Sequence, residues 1–448
     1  MKKREFLAMG GALPLMVAGC GGSGSGTAQM RLVNASIGYP TLGLVVNTTQ
    51  ATNSDVAFGG ASPFAGVPAG SVTTTLTTTT AGVVSDLLST TRTLSGGSRY
   101  SLVGYGYTTA PKSVLIVENQ EAPDAGYASF NVLNTSSDVG AIDVYLSPTT
   151  TLTTAPIATA INGVSQSVFS QITAGTYVLT VVGTGTGRNP QPDIRLQVSG
   201  IVLADQQIAT LILSPGMSGV LANGILLTQG ESGEAQPLLN TSARVRAVAA
   251  TGNTGLVGVL DSNGQIILSP TTSPAISPYF KVPAGKALTV QVDQDPPQTT
   301  ELPQAGGDYT LLVYRQGGQD ASPGTPANKL ILDDNRLPLT VTGCKVRLIN
   351  AVYDADPNFP LPLTLSVNGQ TVVANLGAAQ ASDYLEVTAL SQSAISVTSN
   401  FTSIPIQEPT ITLSPGSIYT ELVVGEGSPA SPPESLAAIT DKFFSGRI

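Results

Sequence analysis

The chain has 448 residues, 11% of them charged, a net charge of −9, two cysteines, and neither histidine nor tryptophan. That length exceeds one ordinary core and suits three or four domains of ~100–150 residues. Without histidine there is no Ser-His-Asp or Cys-His arrangement and no imidazole ligand for zinc, copper or haem. An acidic chain with no Lys/Arg cluster beyond its first residues excludes nucleic acid as a partner, because binding a polyphosphate requires basic patches.

The chain opens with Lys2, Lys3 and Arg4, then an apolar run from Phe6 to Ala18, then Gly19 and Cys20. A charged start, an apolar middle and small residues at the cut are the pattern of a secretory signal peptide, and the run is shorter than the ~20 residues of a spanning helix. Val17-Ala18-Gly19-Cys20 resembles the lipobox of bacterial lipoproteins. The resemblance implies acylation of Cys20, a mature chain that starts there, membrane attachment through its lipid, and a place in the cell envelope. In a Gram-negative host Gly21, not being aspartate, leaves it free to reach the outer membrane. Lys3-Arg4-Glu5-Phe6-Leu7 is similar to a twin-arginine export signal with its first arginine replaced by lysine, so that route and general secretion both stay open. Residues 21–29 then form a Gly/Ser-rich tether. With Cys20 acylated only Cys344 remains, which excludes an intramolecular disulfide. Its surroundings, Cys344-Lys345-Val346-Arg347-Leu348, alternate like a strand and make it a buried apolar thiol.

Repeats begin at residue 30. Arg31-Leu32-Val33-Asn34-Ala35 returns as Asn131-Val132-Leu133-Asn134-Thr135, Arg246-Ala247-Val248-Ala249-Ala250 and Arg347-Leu348-Ile349-Asn350-Ala351. A second landmark is a strand entering a turn: Val67-Pro68-Ala69-Gly70, Ile172-Thr173-Ala174-Gly175, Val282-Pro283-Ala284-Gly285 and the degenerate Val387-Thr388-Ala389-Leu390. A third is a turn entering an aromatic-led strand at Gly96 to Tyr100, Gly306 to Tyr309 and Pro415 to Tyr419, with Ala204 to Ile208 in the second copy. Three landmarks in constant order, repeated four times at about a hundred residues, mark a tandem array.

Each unit holds six or seven short alternating runs with turn signals between them, which predicts an all-β chain of tandem immunoglobulin-like β-sandwich units behind the leader at 1–20. The units are placed at 30–120, 127–231, 243–335 and 343–441, with a tail at 442–448. Pro-bearing joints near 119–128, 231–243 and 335–343 are read as exposed. Asn162-Gly163, Asn263-Gly264 and Asn368-Gly369 are read as tight hairpin turns. Ser435 to Ile439 is placed as the last strand of the fourth unit.

Phe130-Asn131-Val132-Leu133-Asn134, Ala141-Ile142-Asp143-Val144-Tyr145, Ser277-Pro278-Tyr279 through Gly285, and Tyr309-Thr310-Leu311-Leu312-Val313 resemble the DUF4397 domain. The resemblance spans most of residues 30 to 426 and is strongest in the first three units. It implies a β-rich module of secreted and surface proteins and names no activity.

Candidate chemistry is sparse. Asp354, Asp356 and Asn358 form an oxygen-rich cluster with the alternate spacing of calcium ligands, and a polar loop is the competing reading. Asp124, Asp138 and Asp261 stand beside turn residues, where a carboxylate caps backbone N–H groups. Asn34, Asn134 and Asn350 end their strands and are expected to bond the following turn. Arg31, Arg246 and Arg347 alternate with apolar neighbours and are expected to lie along a sheet with their heads in water. Thr73 to Thr80 reads as a strand, and Tyr100, Tyr105 and Tyr107 as core. No catalytic residue and no cofactor is assigned. The reading that follows is a non-catalytic envelope lipoprotein with a structural or interaction role toward an envelope polysaccharide or protein. A carbohydrate- or small-ligand-binding lipoprotein, and an enzyme using a carboxylate pair, are the alternatives.

Overall fold

The computed structural model describes residues 26–442, apart from 53–54, 109, 188–191, 231–233, 252–254, 317–323, 355–361, 400–401, 408–409, 428–433 and 436–438. The described residues form strands, turns and loops with no helix. Alternating β-branched residues broken by Gly, Pro and Asn favour this outcome.

Eight sheets fall into four pairs, one pair to each repeat. In the first unit the opening strand Thr27–Ala35 lies between Ala65–Pro68 and Arg99–Tyr107, with Ala110–Val117 beyond. The second sheet holds Thr41–Val46, Gly70–Thr80 and Val83–Leu94, so the threonine run is a strand as expected. The opening strand runs parallel to the strand that begins at the third landmark, because the whole second sheet is threaded between them. The registers Arg31↔Ser101, Asn131↔Thr210, Arg246↔Thr310 and Arg347↔Thr420 repeat this pairing in all four units. Each core takes side chains from both sheets, as Leu32, Leu44, Leu76 and Leu102 do in the first.

The recurring turns have recurring causes. Gly97, Gly306 and Gly416 sit at φ of 74°, 76° and 74°, where a side chain is strained, and the second unit places Gln206 there at 59°. Tyr100, Tyr309 and Tyr419 fix the same turn by accepting the backbone N–H of Ser95, Gln304 and Ser414. Asn34 and Asn134 each donate to a loop carbonyl and accept an N–H two residues on, as their position predicted; Asn350 makes the same two kinds of bond from inside the strand Gly343–Asp354, to the strand residue Leu376 and from Val352, because that strand runs on past it.

The Asn-Gly reading holds in part. Asn368 and Gly369 both have positive φ, 51° and 76°. At Asn263-Gly264 only Gly264 does, and at Asn162-Gly163 neither does; Ala160 and Val164 take the left-handed positions instead. Gly163 serves close approach, since a Cβ there would stand 2.6 Å from the Ser137 Cα.

The units are not beads on a string. The outer face of the opening sheet in unit 1, with Val33, Val103 and Ile116, packs on the corresponding face of unit 2, with Leu133, Ile212 and Leu227. Units 3 and 4 pair in the same way through Val248, Ala250, Leu312, Ile349, Ala351 and Leu422. The opening sheets are therefore covered on both faces, one by their own sandwich and one by a neighbour. That corrects the expectation for Arg31, Arg246 and Arg347, which are only 1%, 3% and 1% exposed.

The joints differ too. Residues 119–126 are largely exposed, and the fourth unit ends on the short strands Glu434–Ser435 and Ile439–Lys442. In the third joint Asn335, Leu337 and Pro338 are buried, and exposure starts at Leu339. Limited proteolysis followed by mass spectrometry is expected to cut first within 119–126 and at Leu339–Thr342, leaving Asn335–Pro338 intact. Early cuts at 335–338 would contradict the packing described.

Candidate functional site

Two features gather the chain's scarce charge: the buried arginines between paired units, and a cleft where units 1, 2 and 4 meet the third joint. The arginines follow one plan. Each stands on an opening strand, and its Nε donates to the hydroxyl across the parallel pair: Arg31 to Ser101 at 2.7 Å, Arg246 to Thr310 at 2.9 Å and Arg347 to Thr420 at 3.1 Å. An aromatic ring covers each guanidinium, Phe64 at 4.7 Å, Tyr279 at 5.0 Å and Tyr384 at 4.4 Å from the ring centre. A guanidinium suits this place because its flat faces stack while its rim donates five N–H bonds.

The outer nitrogens cross between units. Arg31 Nη2 reaches Thr228 O in unit 2 at 2.8 Å and pairs with Glu118 at 2.5 Å. Ser101 donates to the same carboxylate. Arg246 Nη2 reaches Thr420 Oγ1 at 3.4 Å, and Arg347 Nη2 returns to Thr310 Oγ1 at 3.2 Å and to Asp333 at 2.6 Å. Burial pulls the Arg31 guanidinium below its usual value, and the charge and hydrogen bond of Glu118 oppose that pull. In the second unit the equivalent residue is Asn131, 1% exposed, with no partner within bonding reach of either amide atom among the described residues.

The cleft measures about 610 Å³ and is lined by Tyr107, Lys112, Asp138, Asp334, Arg336, Lys345, Tyr384 and Glu386 among others. Its acids are all engaged. Asp138 accepts from Tyr107 Oη at 2.6 Å and from Leu337 N at 2.5 Å, so it caps the third joint rather than its own turn. That bond explains why the joint is buried. Asp334 pairs with Arg336 at 2.5 Å and Lys345 at 2.8 Å. Glu386 accepts Leu339 N and Thr340 N, both at 2.9 Å. Burial pushes Asp334 up, but the hydrogen bond from Arg336 and the charge of Lys345 outweigh it and hold the carboxyl at about 2. Burial, with Asp138 beside it, pushes the Tyr107 phenol up. Tyr107 thus lines the cleft, Tyr100 is core as expected, and Tyr105 is buried between units 1 and 2 while also lining the cleft. Cys344 is fully buried, its thiol pushed up to about 11 by burial first and then by the charge of Glu386.

Val17, Ala18, Gly19 and Cys20 lie outside the described residues. So do Asp356, Asn358 and the side chain of Asp354, the last residue of the strand Gly343–Asp354. Among the described residues no three His, Cys, Asp or Glu side chains come together as a metal site. Asp261 caps its turn by accepting the N–H of Asn263 and Gln265. Asp143, on the strand Ile142–Ser147, ties the neighbouring strand Ala158–Ile161 to a turn by accepting Ala160 N and Gly185 N, both at 2.9 Å.

Sequence reading missed one element, a serine clamp present in all four units. Ser62, Ser167, Ser277 and Ser382 each accept an opening-strand N–H on Oγ, from Leu32, Val132, Ala247 and Leu348. Each also returns its own N–H to the carbonyl of that same residue. The signal was present as Ser-x-aromatic-x-x-Val/Ile at Ser62, Ser167, Ser277 and Ser382, where the aromatic is Phe64, Phe169, Tyr279 or Tyr384. The serine anchors the ring, and in three units the ring covers the arginine.

The DUF4397 family model, described as a domain of unknown function, matches residues 28–145 and 344–442. Two separate regions of the chain thus match the DUF4397 model. The first DUF4397 match covers unit 1 and runs to Tyr145 of unit 2, and the second takes in unit 4 despite its degenerate turn. No curated protein matches the chain. Among solved structures it is similar to the Bacillus anthracis TIE protein at 12% identity and a TM-score of 0.14, over 86% of this chain and 65% of that one. The chain therefore spans less than two thirds of that protein.

Three outcomes follow from these geometries. Removing Arg347 leaves Asp333 buried without its ion pair, so Arg347→Ala is expected to cost about 3–5 kcal/mol in urea unfolding. Arg336→Ala, at a site 40% exposed, is expected to cost less than about 1 kcal/mol. Asp334 has a folded pKa held below that of an unfolded carboxyl, about 4. Its contribution is therefore complete above that value and is lost as pH falls through about 2. Asp334→Asn should be less stable than the parent at neutral pH, with the difference closing below pH ~2 in acid titrations followed by circular dichroism.

Proposed function

We propose that the protein is a non-catalytic array of DUF4397-like modules, held at the cell envelope by an acylated Cys20, with a structural or interaction role. The observation that carries this reading is the use made of charge. Asp138, Asp334, Glu386, Arg31 and Arg347 are spent on bonds that join units to one another or to a joint. A catalytic site keeps a base or nucleophile aimed at open space, whereas these groups act as welds. The leader sequence and the Gly/Ser tether support a lipid anchor, and two DUF4397 regions support a modular β protein.

Paired units give the array broad, fixed surfaces, and repeated weak contacts on a repetitive polymer add up through effective concentration. An envelope polysaccharide is such a polymer. The cleft favours a second reading, a small-ligand or carbohydrate site, because Tyr107 and Tyr384 flank a polar hollow of about 610 Å³.

Cell fractionation tests the anchor. The parent protein should sediment with membranes and Cys20→Ser should appear in the soluble fraction; a Cys20→Ser protein that still sediments places the anchor elsewhere. The soluble form should then be titrated against purified envelope polysaccharides and proteins. Binding without turnover supports the role proposed. Turnover of a substrate, abolished by changing one carboxylate, would replace it with an enzyme.

A further inference from the structure

The two inter-unit faces are built from the same positions. In units 3 and 4 one buried cluster holds Val248 with Ile349, Ala250 with Ala351 and Leu312 with Leu422, the members of each pair standing at equivalent register positions of their own units. The polar bonds are reciprocal: Arg246 reaches the hydroxyl of Thr420, which pairs with Arg347, and Arg347 reaches that of Thr310, which pairs with Arg246. A contact in which residue i meets j while j meets i is isologous, the arrangement of a two-fold dimer.

Units 1 and 2 repeat the apolar face with different polar bonds, Arg31 crossing to the Thr228 carbonyl. Val33 and Leu133, and Val103 and Ile212, share one buried cluster, again at equivalent register positions. The second unit, however, has Asn131 in place of arginine and Gln229 in place of the acid Glu118. Those two acid-site positions correspond, since Glu118 N donates to Arg99 O and Gln229 N to Ile208 O, both at 2.9 Å. Both halves of one ion pair are missing together, and the apolar face is kept. The apolar pattern therefore carries the pairing and the ion pair adds to it.

We propose that this face is a self-association surface of the module, and that a second copy of the chain supplies the partner unit when a pair opens. Unit 1 of one chain then seats on unit 2 of another, making only the contacts already made within a chain. The largely exposed residues 119–126 between them extend to about 28 Å. The inference is independent of the anchor and of any envelope ligand.

The full-length Cys20→Ser protein, heavy-isotope labelled in one preparation and unlabelled in another, provides the test. Both are nicked within 119–126, mixed, held a few degrees below melting and examined by native mass spectrometry. Unit 1 should stay bound after nicking, mixed light and heavy pairs should approach the statistical ratio, and released unit 1 should appear as a dimer. Release as a monomer, or retention without exchange, overturns the proposal. If nicked unit 1 precipitates, the intact chain decides. Asn131→Arg alone should lower the melting temperature by several degrees, and adding Gln229→Glu should recover at least half of the loss. A double variant no more stable than the single one means that the two pairs do not share a geometry, and the proposal falls.

Discussion

The constraint that shapes this architecture is a sheet packed on both faces, three times with a guanidinium buried inside it. A sheet covered on both faces has to satisfy any polar group left inside, and an arginine there would cost several kcal/mol if its charge and donors lacked partners. Three units meet that demand with the same means: a hydroxyl on the parallel neighbour for Nε, a ring for the flat face, and a partner across the interface for the outer nitrogens. Because those outer bonds end in the next unit, the side chain that completes one sandwich also fixes its neighbour. Intra-unit folding and inter-unit pairing are thus one problem for this chain.

The second unit shows what the fold tolerates. Asn131 replaces the arginine and stays buried without protein partners among the described residues, yet its strand keeps the same parallel register. Packing on both faces holds the sheet, and the Ser167 clamp holds the edge against Val132 as its counterparts do elsewhere. The parts kept in all four units are the clamp, the parallel pair and the apolar outer face. Those are therefore the parts that specify the fold.

The cleft illustrates the same economy of charge. Leu337 reaches Asp138, Lys345 reaches the backbone of Asp334 and Arg336, and Glu386 gathers the N–H groups of Leu339 and Thr340. A connector that composition alone would leave in water is drawn against three units. With only 11% charged residues, the chain places several of them where units and joints meet, which supports the scaffold role proposed.

The sequence by itself determined the β architecture, the four repeats, the strand-ending asparagines at 34 and 134, the threonine strand and the burial of Cys344. These follow from local causes: side-chain period, turn chemistry and short-range hydrogen bonds. Tertiary structure alone decided that Arg31, Arg246 and Arg347 are buried, that Asp138 caps a joint 199 residues away, and that Tyr107 lines a cleft while Tyr100 fills a core. An alternating strand records that two faces differ, and water or a second sheet can satisfy the polar one equally well. Which of the two lies there depends on how whole units pack, a long-range choice that no single strand encodes.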